Sequence, residues 1–399
     1  MPQTSVRGQQ MPSSPIRKLT PLADKAKQKG IKVYHLNIGQ PDIATPQMAL
    51  DTLRKIDRSI LEYSPSQGFF SLREKMVAYY KKFNINVDAD DIIITTGGSE
   101  AVNFAFMSCL DQGDEIIVPE PAYANYTAFA LGAGVNVRPL VSTIESRFAL
   151  PSIAEFEKLI TPKTKGILIC NPNNPTGYLY SKEEMMQLRN LVKKYDLFLF
   201  SDEVYREFCY TDEHYVSALS LEGIEENVIL IDSFSKRYSE CGIRIGALVC
   251  RNKKVCENVM KYCQARLSPP LIGQLIAEAS LDASEDYLRN TYEEYLERRN
   301  FLIEGLNKIP GVYTPMPMGA FYTMAKLPID DCDKFCRWLL NDFSYENQTV
   351  MVAPASGFYT SQALGKNEAR IAYVLKKEEL QKALFVLEKA LEQYPGRIG

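Results

Sequence analysis

Apolar residues fall along this chain in two rhythms. The first is a series of short unbroken runs: Ile92-Ile-Ile94, Ile116-Ile-Val118, Gly166-Ile-Leu-Ile-Cys170, Leu197-Phe-Leu-Phe200, Val228-Ile-Leu-Ile231 and Ala247–Cys250. Runs that do not alternate with polar residues predict strands covered on both faces. Val135–Val141 reads as one more strand. The second rhythm has helical spacing. It predicts helices over Ala49–Ile56, from about Leu72 to Lys82, from Ser99 onward, over Ile153–Leu159, and from a Ser181/Glu184 capping box to about Lys194. Residues 252–308 read as largely helical, broken at Arg266-Leu-Ser-Pro-Pro270 and continuing through a long charged helix from Tyr287 to Leu306. Strands that alternate with helices imply a parallel sheet with right-handed crossovers. Ligands then gather beyond the carboxyl ends of the strands.

Both termini follow a different pattern. Residues 1–30 read as an arm and a short helix, Leu22–Lys29, before a strand that runs from Val33 into Gly39. From about Val312 come a strand at Ala320–Met324, a helix at Cys332–Asn341, strands at Val350–Val352 and Ala369–Tyr373, and a helix at Leu380–Leu391. That order predicts a separate α+β unit.

Composition narrows the function by exclusion. A chain of 399 residues, 46% hydrophobic and 24% charged, has the makeup of a soluble globular protein of about two domains. A net charge of −3 with no basic run argues against nucleic-acid binding. No apolar stretch approaches a membrane span. Met1–Ser14 lacks the apolar core of a secretory signal, so a cytoplasmic location is expected. The nine cysteines show no pairing pattern, and Cys332 and Cys336 have no partners to complete a metal site. With only two histidines, His35 and His214, a Ser-His-Asp triad or a His-rich metal site is nearly excluded. Acid–base chemistry must then use Lys, Tyr, Asp, Glu or a cofactor.

Chemistry-bearing residues cluster just after the predicted strands. Gly97 and Gly98 open a helix and expose N–H groups to an anion, although the spacing matches neither the dinucleotide fingerprint nor a Walker A loop. Asn171-Pro-Asn-Asn-Pro-Thr-Gly177 is a rigid loop with fixed amide side chains. Asp202 ends a buried strand, where an unpaired carboxylate would be costly. Lys236 follows another strand among Ser233, Ser235, Tyr238 and Ser239, with Arg244 close behind. Partial burial lowers a lysine pKa and frees its amine for Schiff-base chemistry, and serines beside an arginine suit a phosphate dianion.

Ser233-x-Ser235-Lys236, followed by Arg244-x-Gly246, resembles the lysine signature of the class I and II aminotransferases, which are pyridoxal-phosphate (PLP) enzymes of fold type I. The likeness runs from Gly39 to Arg370 and resembles most the branch holding bacterial aspartate aminotransferases. It implies an α/β fold, in which a large domain on a mostly parallel seven-stranded sheet is sandwiched by helices and joined to a smaller α+β domain. The corresponding bounds are an arm and part of the small domain at 1–45, the large domain at 46–285 and the small domain at 286–399. It implies that Lys236 is the catalytic lysine. Gly98, Ser99, Glu100, Ser233, Ser235 and Arg244 would bind the cofactor phosphate region. Tyr123 would stack on the ring, Asp202 pair with its nitrogen, and Asn174 and Tyr205 meet its ring oxygen. Gly39, Asn174 and Arg370 would hold the substrate carboxylate. Tyr63 would reach a neighbouring subunit's cofactor, which implies a homodimer with shared sites, and Arg266 would lie near that partner's site.

One position departs from the pattern. Relatives that prefer aspartate can carry a lysine in the phosphate loop where this chain has Ser99. Aspartate with 2-oxoglutarate is still the expected pair. Aromatic or neutral amino acids, or C–S β-lyase chemistry on the same fold, stay open.

Overall fold

A computed structural model describes residues 2–211, 215–361 and 363–398; His214 lies outside them. The strands are β1 (Lys32–His35), β2 (Ile92–Thr95), β3 (Glu115–Glu120), β4 (Asn136–Val141), β5 (Thr164–Cys170), β6 (Phe198–Asp202), β7 (Val228–Ser233), β8 (Gly246–Val249), β9 (Tyr322–Lys326), β10 (Gln348–Met351), β11 (Ala353–Pro354) and β12 (Glu368–Ala372). The apolar runs of the sequence form a seven-stranded sheet in the order β2-β8-β7-β6-β5-β3-β4. All neighbours are parallel except β8, which runs antiparallel to both β7 and β2.

The lack of alternation in those runs has a direct cause. Side chains of one parity, such as Ile93, Ile116, Leu168, Phe200, Ile231 and Leu248, enter one core. The other parity, such as Ile94, Ile117, Ile169, Leu199, Leu230 and Val249, enters a second core on the opposite face. Helices Gly98–Cys109 and Lys253–Arg266 supply the first core. Helices Phe70–Lys81 and Lys182–Tyr195 supply the second. A strand buried on both sides has no solvent face to carry polar residues. The fold is therefore the expected α/β sandwich.

Two smaller sheets complete the protein. β1 pairs in parallel with β10, so the residues before Gly39 join a sheet completed near the far end of the chain. β11, β12 and β9 form an antiparallel sheet. The Glu285–Lys308 helix precedes β9 in sequence and packs against the Lys377–Gln393 helix. Among the described residues no helix is long and apolar enough to cross a membrane.

Several element bounds shift by a few residues from the sequence reading, and β1 stops at His35, short of Gly39. β9 begins at Tyr322 rather than Ala320, because Ala320 takes a left-handed conformation and donates its N–H to the Phe208 carbonyl (2.9 Å), which binds the turn to another segment. Arg244 does not follow a strand. It precedes β8, and only a four-residue helix, Phe234–Arg237, separates it from β7. Since β8 runs backwards, its amino end reaches the edge where the other strands have their carboxyl ends: Gly246 pairs with both Thr95 and Ser233.

Candidate active site

That edge opens into a cavity of about 470 Å³. Its walls come from the loops after β2, β3, β5, β6 and β7, from β9 and β12, and from the segments around Arg17 and Gly39.

At one end three elements converge. The loop after β2 turns at Gly97 with φ of 75° and starts a helix at Gly98. A Cβ on Gly97 would lie 2.4 Å from the Arg244 guanidinium, so the loop and the arginine can meet only because that residue has no side chain. Ser233 Oγ donates to Ser235 Oγ at 2.9 Å, and both hydroxyls line the cavity with Gly98, Ser99 and Arg244. Free helix-terminal N–H groups, hydroxyls and a guanidinium at one point make a site for a dianion.

Further along, two aspartates end adjacent strands and meet different fates. Asp232 faces away from the cavity. Arg237 grips it with two nitrogens (2.8 and 3.0 Å), Arg206 lies 3.1 Å away, and Tyr80 donates at 2.8 Å. Burial would raise its pKa, but the two arginines outweigh that and hold it well below the usual carboxylate range. Asp202 faces the cavity, and among the described residues no cation pairs with it. It accepts from the Tyr126 hydroxyl (2.6 Å) and the Val204 amide (3.4 Å), and burial pushes its pKa up to about 6. A carboxylate in this state lacks a positively charged partner.

Tyr123 forms part of the wall beside Asp202, edge-on to Tyr126 at 5.4 Å and receiving a hydrogen bond from the Asn125 amide. Lys236 sits on the short helix after β7 and points its Nζ at the Gly39 carbonyl, 3.0 Å away. Gly39 is tightly confined, for a Cβ there would lie 1.7 Å from the Tyr322 hydroxyl.

The far end belongs to Arg370 on β12, which is 1% exposed. It donates to Asn174 Oδ1 (3.0 Å) and to the Asn37 carbonyl (2.5 Å), and the rings of Tyr322 and Phe358 cover it at 4.5 and 4.9 Å. Among the described residues its Nε has no hydrogen-bond partner, and no carboxylate pairs with it. Burial lowers its pKa, the opposite of what an ion pair would do. Desolvating a guanidinium without an anion is costly, so the site is built for an anion it does not itself contain. Asn174 also donates to the Tyr205 hydroxyl (3.4 Å), which lies 3.1 Å from the Tyr322 hydroxyl.

Of the residues singled out in the sequence, Gly39, Gly98, Ser99, Tyr123, Asn174, Asp202, Tyr205, Ser233, Ser235, Lys236, Arg244 and Arg370 all line this cavity. Two do not. Glu100 turns away from the anion end: it accepts from the Thr96 amide (2.8 Å) and pairs with Arg266 (2.7 Å). A carboxylate in the first turn is drawn to its own helix terminus, which the dipole favours. Tyr63 stands outside, 76% exposed. Arg266 is held by its own chain, through Glu100 and the Ser66 carbonyl. Tyr126, Tyr322 and Asn37 escaped the sequence reading. Tyr126 lies three residues beyond Tyr123 at a helix start, a spacing that could have suggested a shared face. Nothing local marks the other two.

Comparison with known proteins agrees with this geometry. Residues 31–387 match the family model for aminotransferase class I and II. An aspartate aminotransferase of Pyrococcus horikoshii is 33% identical, with 95% of each chain aligned. Aromatic-amino-acid aminotransferase 2 of Thermococcus litoralis is 32% identical over 95% of this chain and 96% of its own. The crystal structure of aspartate aminotransferase from Thermotoga maritima superposes with a TM-score of 0.89 at 32% identity, covering 98% of this chain and all of that one. A buried arginine awaiting a carboxylate, a lysine on the wall of the same cavity and a match along nearly the whole chain all lead to one assignment: the chain is an enzyme of the aminotransferase class I and II family.

Proposed function

We propose that the enzyme is a PLP-dependent transaminase that moves the amino group of a dicarboxylic L-amino acid, aspartate in the first place, to 2-oxoglutarate. The observation that carries the cofactor reading is Asp202, a buried carboxylate with no counter-cation among the described residues, on the wall of a cavity that also contains an uncommitted dianion site. A protonated pyridine nitrogen at Asp202 and a phosphate at Gly98, Ser99, Ser233, Ser235 and Arg244 would satisfy both. Tyr123 offers a ring face between them, and Asn174 and Tyr205 offer hydrogen bonds to a ring oxygen. When bound, PLP supplies a carbonyl that joins the substrate nitrogen and a ring that draws electrons from the substrate Cα.

The chain's own residues do the rest. Arg370 clamps the α-carboxylate and orients the Cα–H bond, with Asn174 sharing that contact. Lys236 Nζ moves the Cα proton. Tyr322 holds Tyr205 and covers Arg370, keeping water from the clamp. The aspartate preference draws support from the relative named above with 33% identity. Three further parts belong to the same reading. The chain divides at about residues 45 and 285, supported by a seven-stranded sheet contained within 92–249. Tyr63 completes the site of a second copy, supported by its exposure together with that of Ile60 and Leu61. The enzyme works in the cytoplasm.

The test is an absorbance spectrum of the purified enzyme with PLP, followed through additions of single amino acids. A cofactor band that depends on Lys236, disappears with aspartate or glutamate and returns with 2-oxoglutarate is expected. Pyruvate and ammonia without return of the band would instead indicate a lyase. No band at all would refute the cofactor assignment.

A further inference from the structure

The cavity wall carries four basic side chains, Arg17, Lys236, Arg244 and Arg370, and one acidic one, Asp202. On the transaminase reading, which this inference rests on, three of the four have a counterpart. Arg244 faces the phosphate, Lys236 the carbonyl carbon, and Arg370 the α-carboxylate, while Asp202 takes the ring nitrogen. Arg17 is left over. Its guanidinium makes no hydrogen bond or ion pair with any other described residue, whereas the side chains of Lys236, Arg244 and Arg370 each donate within the protein.

Arg17 does not belong to a loose tail. Pro15 packs against Gly357 so closely that a Cβ there would lie 2.3 Å from the proline ring. The Ile16 carbonyl accepts from the Asn37 side chain at 2.9 Å, Lys18 pairs with Asp333, and Leu19 is 2% exposed. Asn37 also accepts from Arg370 through its carbonyl, at 2.5 Å. The backbone of Arg17 is thus tied, through one residue, to the arginine that clamps the α-carboxylate. Arg17 is exposed, and it lines the same cavity as Tyr123. Two arginines linked in this way suit a ligand with two carboxylates, one for each.

We propose that Arg17 is the specificity-determining residue for acidic amino-acid substrates, meeting the side-chain carboxylate of aspartate or glutamate while Arg370 holds the α-carboxylate. Ser99 lines the same cavity and offers a hydroxyl but no charge, so the cation for the second carboxylate comes from the arm and not from the phosphate loop. The carboxylate discharges an arginine that is otherwise unpaired, and an amino acid with a neutral side chain leaves it so.

The experiment compares the holoenzyme with its Arg17→Gln and Arg17→Lys variants. It reads kcat/KM for aspartate and alanine, and calorimetric binding of succinate and butyrate, which differ by one carboxylate. A charge-assisted contact of ordinary strength predicts that Arg17→Gln lowers the aspartate-to-alanine ratio of kcat/KM by about 10- to 100-fold. Succinate binding weakens by a similar factor while butyrate binding moves far less. Arg17→Lys recovers part of the ratio, since it restores the charge but not the two-pronged fork. An unchanged ratio in Arg17→Gln overturns the proposal, as does a wild-type enzyme that binds butyrate as well as succinate. Because the side chain is exposed, melting temperatures of the variants are expected to match the wild type. A wild-type protein that forms no cofactor band with PLP defeats the transaminase reading itself; one that transaminates both amino acids at a ratio indifferent to Arg17 defeats this inference alone.

Discussion

Replacing Asp202 with asparagine should stabilise the cofactor-free protein while disabling the enzyme. The carboxylate is 8% exposed, pairs with no cation among the described residues, and is pushed by burial from an ordinary 3.8 to about 6. At about 1.36 kcal/mol per pH unit, keeping it ionised in the folded state costs about 3 kcal/mol. The sign follows from the direction. A raised folded-state pKa favours the protonated form, so the stabilising contribution is full below about 4, falls as pH rises through about 6, and is gone by pH 7 to 8. Asparagine keeps an acceptor for the Tyr126 hydroxyl and has no charge to bury. Unfolding 399 residues releases roughly 2 cal/mol/K per residue, so 3 kcal/mol amounts to about 3–4 °C in the melting midpoint. Thermal melts of cofactor-free wild type and Asp202→Asn across pH 4 to 8 would show the gap opening between about pH 4 and 6, with the variant the more stable. With PLP the order should reverse, because only the carboxylate can pair with a pyridinium, and transaminase activity should fall by at least about 100-fold. If cofactor-free Asp202→Asn melts below wild type at pH 8, Asp202 is a structural carboxylate like Asp232, and the reasoning that makes it the cofactor's partner fails.

Other expectations test other parts of the site. Gly39→Ala places a Cβ 1.7 Å from the Tyr322 hydroxyl, so it should cost about 1–3 kcal/mol of stability and raise KM for the amino donor, read by melting and steady-state kinetics. Arg370→Lys keeps a charge but loses the fork that spans a carboxylate, and kcat/KM should fall by about 10- to 100-fold for acidic and neutral amino acids alike, unlike the selective effect expected at Arg17. If Tyr63 serves a neighbouring subunit, Tyr63→Ala and Lys236→Ala are each impaired alone, and mixing the two under subunit exchange restores activity. No recovery despite exchange would remove Tyr63 from the site.

The amino-acid sequence was most informative where structure is set by close neighbours along the chain. Ile153–Leu159 and Cys332–Asn341 fold over those same residues, and the Ser181/Glu184 capping box makes both of its hydrogen bonds. Unbroken apolar runs became strands buried on two faces, since a strand between two helical layers hides every side chain in a run. The residues at or just past the ends of those runs, Asn174, Asp202 and Lys236, were therefore bound to meet at one edge of the sheet. Tertiary structure decided what depends on distance through space. The reversal of β8 brings Arg244 to that edge from the wrong end of a strand. Asp202 and Asp232 look alike in sequence, and only the arginines folded beneath the second make one satisfied and the other in need of a partner. Glu100 could have faced the anion site or its own helix, and Arg266, distant in sequence, chose between them. Electrostatic roles are set by charges within a few ångströms, and residues far apart in the chain supply most of those charges.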